Sequence, residues 1–153
     1  MDSVRLDHVA LLVRNLDDAV NDYRSLLSIL DPSQAAAVVL DGTDTDDGSI
    51  RWATFVSAGG GTVLQLIESS LPADKALLEK RGECIHHIAF HSTDVDGTIG
   101  RLAEIGVTPN RLGEHSEKPW LKWALIRSPR THGATLEVAQ AYRVVDGAWV
   151  PKQ

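Results

Sequence analysis

The sequence predicts an α+β protein made of two tandem βαβββ modules. The main observation is an internal repeat: residues 6–11 and residues 85–90 both read apolar-x-His-apolar-Ala-apolar, and His8 and His87 are 79 positions apart. The same offset aligns Val20 with Ile99, so the register holds for about twenty positions without a gap. The second observation is a change from strand-like to helix-like apolar spacing directly after each copy of the repeat.

The first module begins with a strand predicted over residues 6–13, which are short, apolar and rich in β-branched side chains. A helix is expected next, because Asn15 and Asp18 resemble a capping box and apolar residues recur at helical spacing as far as Leu27. Three more strands are predicted over residues 35–40, 50–56 and 62–68. The segment 42–48 and the glycines at 59–61 predict the turns between them, and the acidic run 41–47 is interpreted as a solvated turn.

The second module repeats this order, starting with a strand over residues 85–91. Thr93 and Asp96 predict the start of its helix, and Gly106 predicts the end. Further strands are expected over residues 107–111, 122–128 and 134–139, and a linking helix over 71–80 has Pro72 near its start and Gly82 just after it. We expect a single domain over residues 1–145, with module one at about 4–69, the linking helix at about 71–81, module two at about 84–140 and a C-terminal tail at 141–153.

Composition excludes several classes of protein. The net charge is −6 and no cluster of basic residues occurs, which argues against a partner with a phosphate backbone. No apolar run approaches the roughly 20 residues of a membrane helix, and the N-terminus lacks the pattern of a secretory signal. Cys84 is the only cysteine, which excludes an intrachain disulfide and a cysteine-rich zinc site. We therefore expect a cytoplasmic protein that binds neither nucleic acid nor membrane.

Four polar side chains are predicted to lie mid-strand on faces that are otherwise small or apolar. They belong to the first and last strands of the two modules: His8, Gln65, His87 and Glu137. A carboxylate buried alone is costly, and imidazoles, an amide oxygen and a carboxylate suit Co, Zn, Mn, Ni or Fe(II). The pattern favours a divalent metal site. The alternative is that the histidines are ordinary core residues, that Glu137 pairs with an arginine such as Arg127, and that Gln65 binds backbone groups.

The segments LDHVALLV, VLQLIES, GECIHHIAFHSTDVD, GRLAEIGV and SPRTHGATLEV resemble the vicinal oxygen chelate superfamily. That superfamily includes glyoxalase I, extradiol dioxygenases, fosfomycin-modifying enzymes and bleomycin-resistance proteins, and the likeness is greatest to the methylmalonyl-CoA epimerases over about residues 4–140. The resemblance implies two modules whose curved mixed sheet surrounds a central metal. It also implies His8, Gln65, His87 and Glu137 as the ligands, with His86 on the opposite face against a helix.

The resemblance further implies a metal-dependent epimerase that acts on a 2-methylmalonyl-type acyl-CoA through a metal-stabilised enolate, and a homodimer. Glu137 would then be both a ligand and a catalytic base. The sequence departs from this family where a glutamate base is expected, because the stretch Gly48-Ser49-Ile50-Arg51-Trp52-Ala53 has Trp52 at that position. Other proton-transfer candidates are Glu68 and His91, the latter about 13 Å along the strand from His87.

Tryptophans predict the nature of the substrate-binding wall. Trp52, Trp120 and Trp123 together would form an aromatic surface suited to a flat or hydrophobic ligand, with His91 at the mouth. The alternative is that Trp120 and Trp123 cover a sheet edge or a dimer contact. Two other functions also stay open: a glyoxalase-type isomerase or lyase on another chelating substrate, and an antibiotic-binding protein of the resistance type.

Overall fold

The computed structural model describes residues 3–153 and confirms the α+β class. Two copies of the βαβββ order are present, separated by the linking helix and followed by a hairpin. The elements are β1 (Arg5–Leu12), α1 (Leu16–Leu30), α2 (Pro32–Ala35), β2 (Val38–Thr45), β3 (Gly48–Phe55), β4 (Val63–Ser69), α3 (Pro72–Arg81), β5 (Cys84–Ser92), α4 (Val95–Glu104), β6 (Arg111–Glu114), β7 (Lys122–Ile126), β8 (Leu136–Gln140), β9 (Tyr142–Val145) and β10 (Ala148–Pro151).

The chain forms two compact units: a first unit of residues 8–86, and a second unit of residues 87–153 together with residues 3–7. In the first unit the strands are ordered β2-β3-β4-β1, and β1 runs parallel to β4. In the second unit the order is β5-β8-β7-β6, and β5 runs parallel to β8. The sequence repeat therefore corresponds to one topology formed twice. Residues 1 and 2 of the predicted domain lie outside the described residues.

Helix α1 supplies the core of the first unit. The side chain of Asn15 accepts a hydrogen bond from the Asp18 amide at 3.0 Å, which confirms the predicted start of this helix. Its apolar stripe, which includes Leu16, packs against the sheet residues Phe55 and Leu66. Each such side chain contributes roughly 1.5–3 kcal/mol when it is fully buried, so this packing fixes the helix on one face of the sheet.

The segment after α1 departs from the prediction. Residues 32–35 form the short helix α2 where a strand was expected to begin at residue 35, because Pro32 occupies the first helical turn. The buried Gln34 amide donates to Asp31 at 2.8 Å, and its oxygen accepts from the Leu64 amide at 3.0 Å. Hydrogen bonds from the side chains of Ser33 and Gln34 lower the pKa of the Asp31 carboxyl.

The acidic run 41–47 is mostly strand, so its interpretation as a turn was wrong for residues 41–45. Asp41 pairs with Trp52 and Thr45 pairs with Gly48, which leaves Asp46 and Asp47 as the turn. The physical reason is that β2 stands first in the strand order of this unit. Carboxylates on such a strand stay in water while the backbone pairs with β3.

Two boundaries in the second unit were also wrong. Helix α4 begins after Asp94, whose carboxylate accepts from the Gly97 amide at 2.9 Å, and not at the predicted Thr93 and Asp96. Strand β6 begins at Arg111 instead of residue 107, because the Val107 amide still bonds to Leu102 at the end of α4. The predicted helix end is confirmed, since Gly106 follows α4 with φ at 82°.

The predicted tail is a β-hairpin. Strands β9 and β10 pair antiparallel around Asp146 and Gly147, which have φ of 51° and 76° as two-residue hairpin turns require. The Tyr142 ring stacks on the Trp149 ring with centroids 4.1 Å apart, and Trp149 is buried. Among residues 3–153, no helix has both the length and the apolar character needed to cross a membrane.

Candidate metal centre

One face of the first-unit sheet carries the first two predicted ligands. His8 pairs with Val63 across β1 and β4, and Ala10 pairs with Gln65, so both polar side chains project to the same side. His8 is 2% exposed and Gln65 is 7% exposed. The predicted alternation is therefore present, and both potential ligands are shielded from water.

The amide of Gln65 is oriented by a neighbouring strand. Its Nε2 donates to the Thr54 hydroxyl at 2.9 Å, and the two residues are directly paired between β3 and β4. Because the nitrogen end of the amide is used in this bond, the oxygen end is the one that can ligate a cation. The sequence analysis missed Thr54. The signal for it was its spacing of two from Trp52, which puts both residues on the same face of β3.

One face of the second-unit sheet carries the other two predicted ligands. Glu137 is paired with Ala89 between β5 and β8, which places its carboxylate beside the His87 imidazole. The distance from His87 Nε2 to Glu137 Oε2 is 3.4 Å, and the side chains are 5% and 12% exposed. The neighbour of this nearly buried carboxylate is therefore an imidazole. A nitrogen and an oxygen donor side by side, with little access to water, are typical of transition-metal sites.

His86 points to the other face, as expected. Its Nε2 lies 2.7 Å from Asp74 Oδ1 on α3, and the Ser69 hydroxyl donates to the other carboxylate oxygen at 2.5 Å. Asp74 is 4% exposed, so this bridge ties the end of β4 and the start of β5 to α3 inside the first unit. His86 is therefore committed to a structural contact, and His87 is the histidine of this pair that faces the other way.

His91 shares the His87 face four residues further along β5. Its Nδ1 lies 3.2 Å from Asp7 Oδ1, and its ring centroid lies 4.7 Å from that of Tyr142. The sequence analysis missed Asp7 as a partner because this contact joins distant parts of the chain. Glu68, the other proton-transfer candidate, accepts a hydrogen bond from the Leu16 amide at 2.8 Å and so serves the first turn of α1.

The three tryptophans differ in their placement. Trp52 is 6% exposed and pairs with Ile67 in the first unit, on the same face as Thr54. Trp123 pairs with Ala139 in the second unit, so it shares a face with Glu137 and lies over Gly113, where any Cβ would clash with its ring. Trp120 lies in the turn before β7 and is partly buried. Trp52 and Trp123 thus lie on the sheet faces that carry the predicted ligands of their own units, whereas Trp120 belongs to a loop.

Known protein families and solved structures include relatives of this fold. Residues 7–118 match the model of the glyoxalase, bleomycin resistance protein and dioxygenase superfamily. No curated protein matches the chain at a significant level. Among solved structures, a hypothetical protein from Bacillus halodurans superimposes with a TM-score of 0.69 at 20% identity, covering 94% of this chain and 99% of that one.

Epimerases are among the other similar structures. Methylmalonyl-CoA epimerase from Mycobacterium tuberculosis has a TM-score of 0.66 at 26% identity, covering 88% of this chain and 85% of that chain. A variant of the Streptomyces coelicolor methylmalonyl-CoA epimerase, in complex with 2-nitronate-propionyl-CoA, has a TM-score of 0.66 at 24% identity, covering 88% and 95%. At this level of identity the likeness establishes the fold.

Proposed function

This chain belongs to the glyoxalase, bleomycin resistance protein and dioxygenase superfamily, and from that premise we propose that it is a divalent-metal-dependent epimerase acting on a 2-methylmalonyl-type acyl-CoA. The observation that carries the proposal is the nearly buried pair of His87 and Glu137, 3.4 Å apart on one sheet face. The repeat-related strands of the first unit present His8 and Gln65, which are buried as well.

In this proposal His8 and Gln65 of the first unit and His87 and Glu137 of the second unit bind one ion. The donor set fits a divalent transition metal, since it consists of two imidazoles, one amide oxygen and one carboxylate. Two features of the chain support it. The Gln65 nitrogen is occupied by Thr54, and His86 is held on the other sheet face by Asp74. Cobalt, zinc, manganese, nickel and iron all accept such ligands.

The proposed chemistry is removal of the proton on the carbon between the thioester and the carboxylate of the acyl group. A bound divalent ion supplies Lewis acidity toward the thioester oxygen, which makes this carbon acid stronger. Glu137 is the proposed proton acceptor, because its carboxylate lies beside His87 on the sheet face of the second unit that carries the proposed ligands. Its 12% exposure limits competition from bulk water.

Trp52 and Trp123 have a different proposed role. An indole has no basic nitrogen at neutral pH, so Trp52 cannot serve as the second proton-transfer group. We assign it, with Trp123 and the partly buried Trp120, to an aromatic wall that holds the acyl group, and His91 to the mouth of the site. His91 is fixed for this role by Asp7 at 3.2 Å.

Proton exchange into deuterated solvent tests this function directly. Protein loaded with Co(II) is mixed with methylmalonyl-CoA, and deuterium at the α-carbon is followed by NMR. We expect exchange with the wild type and with Glu114→Gln, an exposed carboxylate of the same unit, and at most trace exchange with Glu137→Gln. Absence of exchange by the metal-loaded wild type contradicts the proposal.

A second candidate is a glyoxalase-type isomerase or lyase on another chelating substrate. The buried Trp52 favours it, because an indole stands where an epimerase of this family has a glutamate. Turnover of a hemithioacetal by the Co(II)-loaded protein, with no exchange on acyl-CoA, would replace the first candidate by the second.

A further inference from the structure

The first unit contains a cavity of about 310 Å³ that none of the proposed metal ligands lines. Its walls include three cationic side chains, Arg14, Arg51 and Lys75, together with Ser49, Glu68 and Leu78. Arg51 is paired with Glu68 between β3 and β4, so it projects from the sheet face opposite to that of Trp52. The cavity is therefore distinct from the candidate metal centre.

Three cations and one carboxylate line this cavity, in a chain whose net charge is −6, and a further carboxylate, Glu83, accepts from the Arg14 backbone amide at 2.9 Å. The lining carboxylate is already engaged, since Glu68 Oε2 accepts from the Leu16 amide at 2.8 Å. Its other oxygen lies 3.9 Å from Arg51, whose guanidinium also lies 3.6 Å from Asp17. The Arg51 and Asp17 side chains are 52% and 77% exposed, and exposed ion pairs of this kind are weak, so an anion can compete for Arg51.

Arg14 and Lys75 also line the cavity and could contact the same anion. The Arg14 guanidinium donates to the Leu78 carbonyl at 3.3 Å, which holds it at the wall of the cavity. The ammonium group of Lys75 is exposed near the start of α3 and has no ion pair within residues 3–153. Ser49 adds a hydroxyl, the neutral donor that commonly accompanies arginine and lysine around an anion.

We propose that this cavity binds a phosphoryl dianion, either free phosphate or the phosphate group of a larger molecule. Two guanidinium groups match the oxygens of a phosphoryl group in pairs, and the ammonium group supplies the third charge. A carboxylate ligand would use only part of this positive set. The volume lies at the lower end of the range for small-molecule sites, which suits a phosphoryl group and a part of the molecule that carries it.

Titration of the full-length, ¹⁵N-labelled protein with inorganic phosphate, at constant ionic strength, tests the proposal. We expect saturable shifts of the Ser49, Arg51 and Lys75 amides. Lys75→Glu should weaken phosphate binding about tenfold or more, since it replaces an attraction by a repulsion. Lys80→Glu, on the same helix but outside the cavity lining, should change it less than twofold. Lys75→Gln removes the positive charge without adding a negative one, so the affinity for phosphate should lie between those of the wild type and Lys75→Glu.

Coenzyme A in a parallel titration distinguishes the two sources of the phosphoryl group. Shifts of the same amides that inorganic phosphate reverses identify the ligand as a phosphorylated carrier, whereas shifts with inorganic phosphate alone identify the free ion. The proposal is overturned if phosphate causes no saturable shift at these amides, or if Lys80→Glu weakens binding as much as Lys75→Glu. Proton exchange plays no part in this readout, so its outcome is independent of the proposed enzyme activity.

Discussion

The two units share one topology but differ in the chemistry of their equivalent strands. The first strand of each presents a buried histidine, His8 or His87, and the last strand of each presents a polar side chain, Gln65 or Glu137. Gln65 is neutral and bonds to a threonine hydroxyl, whereas Glu137 carries an acid group beside an imidazole. The duplicated fold therefore repeats the positions of the functional groups and varies their charge.

This difference divides the proposed work between the units. The second unit carries Glu137, the proposed proton acceptor. The first unit has an indole, Trp52, on its ligand-bearing face, and an indole can only shape the site. An epimerase normally needs a proton-transfer group on each side of a planar intermediate. The contrast between Trp52 and Glu137 is therefore the feature of this chain that most directly separates the two candidate functions.

The largest effect is expected from Glu137→Gln, which makes the last strand of the second unit resemble that of the first. Removing the proposed base should lower the rate of α-proton exchange by about 10²–10⁴-fold, the range of general-base catalysis. The rate is measured by NMR in deuterated solvent, with Glu114→Gln as the matched control. A variant that retains more than a tenth of the wild-type rate would show that Glu137 is not the base.

The cores of the two units should respond differently to truncation. Phe55→Ala in the first unit, where the side chain is 1% exposed, is expected to cost about 3–5 kcal/mol of unfolding free energy. Val138→Ala in the second unit removes less buried surface and should cost about 2 kcal/mol. Urea unfolding measures both values. Equal losses of unfolding free energy would contradict the larger contribution expected from the larger buried side chain.

The role of Thr54 is tested by Thr54→Val, which keeps the shape of the side chain but removes the hydroxyl that binds the Gln65 amide. Loss of a residue that orients a ligand typically weakens metal affinity about 10–100-fold, so we expect at least a tenfold weaker affinity for Co(II). Titration calorimetry provides the measurement. Thr62→Val changes an exposed threonine directly before β4, the strand of Gln65, and should leave the affinity for Co(II) unchanged. Unaltered binding by Thr54→Val would remove Gln65 from the proposed ligand set.

The smallest effects are expected at the helix caps. Asn15→Ala and Asp94→Ala should each destabilise the protein by about 1 kcal/mol, because each removes a side-chain acceptor from the first turn of a helix. Thermal unfolding is sufficient to detect both changes. Asp96→Asn tests the cap that the sequence indicated, whereas Asp94→Ala tests the cap that the structure shows. A larger loss of stability for Asp96→Asn than for Asp94→Ala would contradict the observed cap.

Local patterns in the sequence were sufficient to predict much of the fold. His8 and Ala10, like His87 and Ala89, are two residues apart and so share a strand face. This spacing predicted that the two histidines are buried, because strand periodicity depends only on near neighbours. The cap of α4 was misplaced by one residue, since Thr93 and Asp94 are both good capping residues and the backbone conformation decides between them.

Features that depend on distant pairing were not predictable. The bond between Thr54 and Gln65 requires the register of β3 against β4, and the contact between Asp7 and His91 joins residues from opposite parts of the chain. The extension of β2 to Thr45 requires knowledge that this strand is first in its sheet order. The geometry of the proposed metal centre was not predictable for the same reason. Side-chain types and strand periodicity indicate candidate ligands but do not give the distances between them.

The central claim is that both units contribute ligands to one ion, and the Co(II) stoichiometry of single-histidine variants tests it most directly. We predict one high-affinity ion per chain in the wild type, and loss of that site in both His8→Ala and His87→Ala. Retention of the full site after His8→Ala would mean that the metal belongs to the second unit alone, and would contradict the account.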